Sequence, residues 1–168
     1  MMKNLFQILC GLFLVVSYSS CMHSEEDKVD VLIIGGGASG VTSGIQSARM
    51  GANTLILEES TWLGGMLTSA GVSAVDGNYR LPAGLWGEFK NRLSDYYGGL
   101  DSLKTGWVSN VLFEPSVGNK ILHEMVAAEN NLKVWKQACL EEVKRTGDEW
   151  VAKVKVEGQG VKTVRAKV

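Results

Sequence analysis

The sequence predicts an α/β fold, a parallel sheet carrying helices with a three-stranded antiparallel β-meander inserted into it, and three observations lead there. Val29 together with Val31, Leu32, Ile33 and Ile34 makes an apolar run short enough for a strand buried on both faces of a parallel sheet. Gly35-Gly36-Gly37-Ala38-Ser39-Gly40 follows at once and opens a helix of small residues over 38–50, which stops at Gly51. Beyond Leu132 the pattern shortens into strands broken at Thr146-Gly147-Asp148 and Glu157-Gly158-Gln159-Gly160, the turn chemistry of hairpins.

Each glycine of the G-x-G-x-x-G spacing has a separate task. Gly35 permits the tight turn out of the strand, Gly37 lets backbone approach a pyrophosphate, and Gly40 lets the helix lie close to the strand. Gly36, Ala38 and Ser39 complete the turn, where the helix start offers free N–H groups and a positive dipole end to an anion. A second strand over 53–57 ends in Glu58, the acidic position that accepts ribose hydroxyls and repels a 2′-phosphate. Strand, glycines, helix, strand and acid in that order describe a dinucleotide-binding β-α-β unit, with FAD or NAD favoured over NADP.

The next loop, 59–71, falls at the carboxyl edge of the sheet, where α/β sheets bind ligands. Its Gly64-Gly65 pair can bring backbone donors against phosphate or a flavin ring, and Trp62 and Met66 either cover the ligand or join the core. Residues 82–97 read as an amphipathic helix with Pro82 in the first turn and Leu85, Phe89 and Leu93 on one stripe. Residues 115–129 read as another, with Val117, Ile121, Met125 and Ala128 on one face and His123 off the stripe, expected in solvent. A third parallel strand is expected over 132–135, then meander strands over 138–144, 150–156 and 161–168.

Composition limits the function classes. The 168 residues are 45% hydrophobic, enough for one core, and the formal net charge of −1 gives no reason to expect nucleic acid as partner. Lysines and arginines of the last quarter alternate with apolar residues, as on the solvated faces of strands. Cys10, Cys21 and Cys139 have no metal-clamp or C-x-x-C spacing, so neither zinc nor an iron–sulfur cluster is supported, and Cys139 is expected to be a small buried hydrophobe.

The first twenty-one residues carry Lys3, an apolar run over 5–16 and small polar residues before Cys21, the pattern of a secretory signal peptide. Ser19-Ser20-Cys21 resembles the lipobox of bacterial lipoproteins, in which the cysteine is lipidated; Tyr18 departs from the aliphatic residue usual there. Residues 1–21 are thus expected as the signal, 22–28 as a tether and 29–168 as the domain. Localisation follows as the bacterial cell envelope, with a lipid anchor at Cys21, or a soluble periplasmic or secreted form after ordinary cleavage.

Together these residues resemble the FAD-dependent oxidoreductases with the glutathione-reductase-like fold. The blocks Leu63-Gly64-Gly65-Met66-Leu67-Thr68 and Phe113-Glu114-Pro115-Ser116 are most similar to the branch related to the heterodisulfide reductase flavin subunit. The resemblance implies a Rossmann-like FAD-binding domain whose glycine turn holds the pyrophosphate and whose Glu58 holds the adenosine ribose. It further implies that Gly64, Gly65 and Met66 form a second contact to the cofactor and that backbone at Leu140 meets the adenine. It also implies that residues for the flavin end lie beyond Val168, so the chain is expected to supply the ADP-binding half of the site, truncated at its C-terminus. Two other functions remain open at this level. One is a non-catalytic envelope lipoprotein or decayed flavoenzyme; the other is an NAD-binding dehydrogenase, in which a crossover helix replaces the meander. Substrate and catalytic residues are not encoded in these stretches.

Overall fold

The computed structural model describes residues 26–107 and 109–168. Signal sequence, lipobox and Cys21 lie outside them. Three layers are stacked. In the middle is a parallel sheet of β2 (Val31–Ile34), β3 (Thr54–Glu58) and β4 (Leu132–Lys136), in the order β2-β3-β4. On one side lie helices α1 (Ala38–Arg49), α2 (Gly84–Tyr97) and α3 (Pro115–Ala127). On the other lies the meander, β5 (Ala138–Thr146), β6 (Glu149–Val156) and β7 (Gly160–Ala166). A short strand, β1 (Asp27–Val29), pairs parallel to β7 and completes a second sheet, β1-β7-β6-β5.

Alternation along β3 explains the layering. Ile56 belongs to the cluster under the helices, with Val41, Ile45, Leu122 and Leu132, while Leu55 and Leu57 belong to the cluster under the meander, with Ala152, Val154 and Val164. A strand sandwiched this way must be apolar at consecutive positions, which is why Leu-Ile-Leu appears rather than an alternating pattern. Small residues bring α1 down onto it: a Cβ on Gly44 would lie 2.6 Å from Ile56 Cδ1. Polar contacts close the outer surface of the helix layer, where Arg49 of α1 bridges Glu88 of α2 (2.9 Å) and Glu129 just after α3 (2.7 Å).

The first apolar run is divided at Asp30 between the two sheets, and pairing begins at Asp27, inside the stretch expected as tether. Asp30 bends the chain because its carboxylate accepts from the Asn53 N–H (2.9 Å) and pairs with Lys167 (2.6 Å). Those two partners, Lys167 first, hold its pKa below the usual carboxylate value. Glu26 and Arg165 fasten the same edge (2.8 Å).

Three other expectations change. Pro82 precedes α2, which starts at Gly84; Ala83 is extended (φ −118°, ψ 174°), and the Pro82 carbonyl sits over Gly87, where a Cβ would be 2.3 Å away. His123 is half-buried rather than solvated, and burial first, then Lys136, pushes its pKa down. Cys139 is exposed: Ala138 and Leu140 turn inward onto the parallel sheet, so the residue between them points out, opposite Lys155.

Candidate dinucleotide site

The glycines of the turn differ in what they do, and an imagined Cβ at each position shows how. Gly35 has φ +98°, a conformation other residues avoid, and its N–H donates to the Leu57 carbonyl (2.8 Å). A Cβ on Gly40 would lie 1.9 Å from the Gly35 carbonyl oxygen, so α1 could not approach the turn. Gly37 differs: its φ is −65°, and a Cβ would meet no atom within 4 Å. Neither sterics nor φ demands glycine there. The missing side chain instead leaves open space in front of the first turn of α1, whose start has no side-chain cap and no acidic residue. Ala38, Ser39 and Gly40 form that first turn, the arrangement that receives an anion through backbone N–H groups.

Glu58 is fixed at the end of β3 by backbone donors. The Gly36 N–H donates to Oε2 (2.8 Å) and the Ser60 N–H to Oε1 (2.7 Å). Each oxygen keeps a further lone pair, so the carboxylate can still accept from ligand hydroxyls. The contact also accounts for the second glycine, because a Cβ on Gly36 would lie 2.8 Å from Leu63 Cδ2 and 2.9 Å from Glu58 Oε2.

Gly64 and Gly65 form a second turn pressed against the first. The Gly64 N–H donates to the Gly36 carbonyl (2.8 Å), Gly37 and Gly64 form a parallel bridge, and a Cβ on Gly65 would be 3.1 Å from Gly37 Cα. Both have positive φ, +106° and +52°. Two residues not anticipated from the sequence hold this turn: Asn119 on α3 accepts from the Leu63 N–H (2.9 Å), and buried Thr68 donates to the Leu63 carbonyl. An Asn on a polar helix flank carries no signal of this contact. Met66 follows in a short 3-10 turn and is 65% exposed, which removes it from the core and leaves it free to cover a ligand. Trp62 is half-buried.

Leu140 completes the site from the meander side. It lines a cleft of about 310 Å3 together with Ile34, Gly35, Leu57, Glu58 and Ala138, at the carboxyl ends of β2 and β3. Gln137 turns the chain from β4 into β5 at this point. Its φ is +53°, its N–H donates to the Ser60 carbonyl (3.2 Å), and its carbonyl accepts from the Glu157 N–H (3.0 Å). A non-glycine residue held there carries modest strain, about 1 kcal/mol. No glycine or asparagine marks the bend, so it was not visible in the sequence.

Gly35, Gly36, Gly37, Gly40, Glu58, Gly64, Gly65 and Leu140 therefore gather at one edge of the parallel sheet, beside the open cleft. The profile of the FAD dependent oxidoreductase family matches residues 30–168. The chain belongs to that family. Its cofactor is accordingly FAD, and the meander standing where a crossover helix would mark an NAD dehydrogenase agrees with this.

Solved structures share the fold at low identity. A flavoprotein/dehydrogenase from Cytophaga hutchinsonii aligns with TM-score 0.60 at 16% identity, over 84% of this chain and 38% of its own. The p-nitrophenol 4-monooxygenase of Pseudomonas putida gives 0.56 at 15%, over 84% and 39%. A geranylgeranyl bacteriochlorophyll reductase-like protein from Thermoplasma acidophilum gives 0.53 at 20%, over 86% and 38%. This chain thus spans less than two fifths of the length of these three proteins. No curated protein matches it in sequence.

Proposed function

We propose that this chain supplies the ADP-binding half of the FAD site of an oxidoreductase carried in the bacterial cell envelope. One observation carries the cofactor part: Gly37, which neither packing nor φ requires to be glycine, opens directly onto the uncapped start of α1 beside Glu58. In this reading the N–H groups of the first turn receive the pyrophosphate, Glu58 accepts from the adenosine ribose, and the Ile34–Leu140 cleft takes the adenine. Gly64 and Gly65 keep side chains away from the diphosphate, and Met66 shields it from water. FAD supplies the electron transfer; the protein supplies binding, orientation and electrostatics.

The finer branch, related to the heterodisulfide reductase flavin subunit, rests on the two sequence blocks named above. Phe113 of the second block has a packing role, stacking edge-on against Phe89 at 5.5 Å and lying over Gly118. Glu114 N–H donates to the Tyr97 hydroxyl (2.9 Å). The block thus sets the α2–α3 junction.

Envelope location rests on residues 1–21 and on lipidation at Cys21. With only the tether between Cys21 and β1, an anchored domain stands close to the membrane surface. Because the signal has no twin-Arg pair, FAD would be acquired after export.

Purified full chain mixed with FAD and then freed of unbound flavin by gel filtration tests the cofactor reading, since retained flavin absorbs at about 450 nm. Saturable FAD binding that NADP does not compete is expected. Protein that retains no flavin after gel filtration, at every FAD concentration, refutes the proposal. For location, Cys21→Ser is expected to move the protein from the membrane to the soluble envelope fraction; recovery of the unaltered chain in the cytoplasm overturns that part alone.

A further inference from the structure

A second cleft, of about 230 Å3, lies between the loop before α2 and the segment before α3, and it is lined by charged side chains where the dinucleotide site is lined by backbone. Lys90 lines it from α2 and is only 7% exposed. Its ammonium donates to the carbonyls of Tyr79 (2.7 Å) and Leu81 (2.9 Å) and stands 5.8 Å from the centre of the Trp86 ring. Two carbonyls satisfy two of its three N–H donors. Among the described residues it has no carboxylate partner, although buried charges are ordinarily paired.

Two further cations share the cleft. Arg80 donates through Nε to the Tyr79 hydroxyl (3.1 Å) and lies over the same ring, and among the described residues it too has no acidic partner. That bond leaves the Tyr79 O–H proton free to donate elsewhere. Lys104 is half exposed and pairs with Asp101 (2.8 Å). Three cations are therefore set against one carboxylate, around an apolar floor whose accessible part is Leu100, 48% exposed, while Leu103 and Val111 are buried behind it. A guanidinium fork and an ammonium above an apolar floor match an anionic head on a compact apolar body.

We propose that this cleft binds a small organic acid through its carboxylate, with Arg80 and Lys90 as counter-charges, the Tyr79 hydroxyl as a neutral donor, and Leu100 against the hydrocarbon part. The site is separate from the FAD reading and does not depend on it. Lys90 sets the electrostatic potential from within, Arg80 grips the carboxylate at the rim, and Lys104 exchanges between Asp101 and the ligand.

Calorimetric titration of the full chain with butyrate and benzoate tests this, with benzyl alcohol as the uncharged counterpart and inorganic phosphate as an anion without an apolar body. The carboxylates are expected to bind saturably and to weaken with salt, and benzyl alcohol is expected not to bind. Arg80→Gln is expected to weaken carboxylate binding about tenfold and the Arg80→Gln, Lys104→Gln pair about thirtyfold or more. Amide resonance shifts on adding benzoate to unaltered protein should centre on Leu100, Leu103, Asn110 and Val111, and this mapping needs no variant to fold. Absence of saturable binding, shifts centred elsewhere, affinity unchanged in the double variant, or phosphate binding as tightly as benzoate would each overturn the proposal.

Discussion

The two clefts are built from different parts of the chain. Around the dinucleotide cleft the decisive groups are backbone N–H groups, absent side chains and one acid, all within about thirty residues of sequence. Around the second cleft they are the charged ends of three long side chains, brought from α2 and two separate loops. A backbone-built site is sensitive to the addition of a single carbon and nearly indifferent to surface charge. A site built from side chains is the reverse. The contrast can be broken by substitutions whose effects differ in kind as well as in size.

Gly40→Ala should have the largest effect, because the new Cβ would lie 1.9 Å from a backbone oxygen and no flexible side chain can give way. Destabilisation of about 3 kcal/mol or more is expected in chemical denaturation. Unchanged stability would show that the turn can relax and would remove the close-packing account. Arg80→Gln, by comparison, changes a rim side chain and should alter stability by less than about 0.5 kcal/mol.

Glu58→Gln comes next. The carboxylate accepts from two N–H groups, and a neutral amide offers only one acceptor oxygen, so a loss of about 2 kcal/mol in stability is expected. Weaker FAD binding and reduced discrimination against NADP should accompany it, read by competition titration. Preserved discrimination would move the ribose away from Glu58.

Gly37→Ala separates packing from binding. Its added methyl group meets nothing within 4 Å, so the melting temperature should stay the same while FAD affinity falls about tenfold, or about 1.4 kcal/mol. If stability falls and FAD affinity does not, the open space at Gly37 has another purpose.

The smallest effect belongs to a charge cluster outside both clefts. Lys144 first, then Lys153, lower the Glu142 pKa to about 2, and the Lys153 pair joins β5 to β6. Because the folded-state value is depressed, this contribution is present above the unfolded value of 4.5 and is lost as pH falls toward about 2. Unaltered protein should therefore lose stability slightly more steeply than Glu142→Gln across that window. All three groups are solvated, and added salt should shrink the difference. Parallel acid limbs at low salt would show that the pairs contribute nothing.

Legibility followed the same division. Glycine spacing, the acid at the end of β3 and the meander turns could all be read directly, since backbone conformation and strand period impose local rules on residue type. Burial was harder wherever the outcome depended on a neighbour from another segment. Cys139 was expected inside, but pairing of β5 with β6 turns it outward, opposite Lys155. His123 was expected in solvent and is half covered, with Lys136 of β4 acting on it. Lys90 lies within a correctly read amphipathic helix, yet nothing in the periodicity of α2 says that its ammonium is enclosed by the carbonyls of Tyr79 and Leu81.

By itself, then, the sequence determined an α/β chain with a glycine turn of dinucleotide-binding spacing, an acid closing the second strand of that unit and a meander. Each of these is a constraint on consecutive or regularly spaced backbone. Only the tertiary structure decided which glycine faces open space, as at Gly37, and which glycines serve packing, as at Gly36 and Gly40. It alone gathered Arg80, Lys90 and Lys104 around one cleft. Hydrogen-bond reach and charge act through a few ångströms of space, and folding sets those distances independently of separation along the chain.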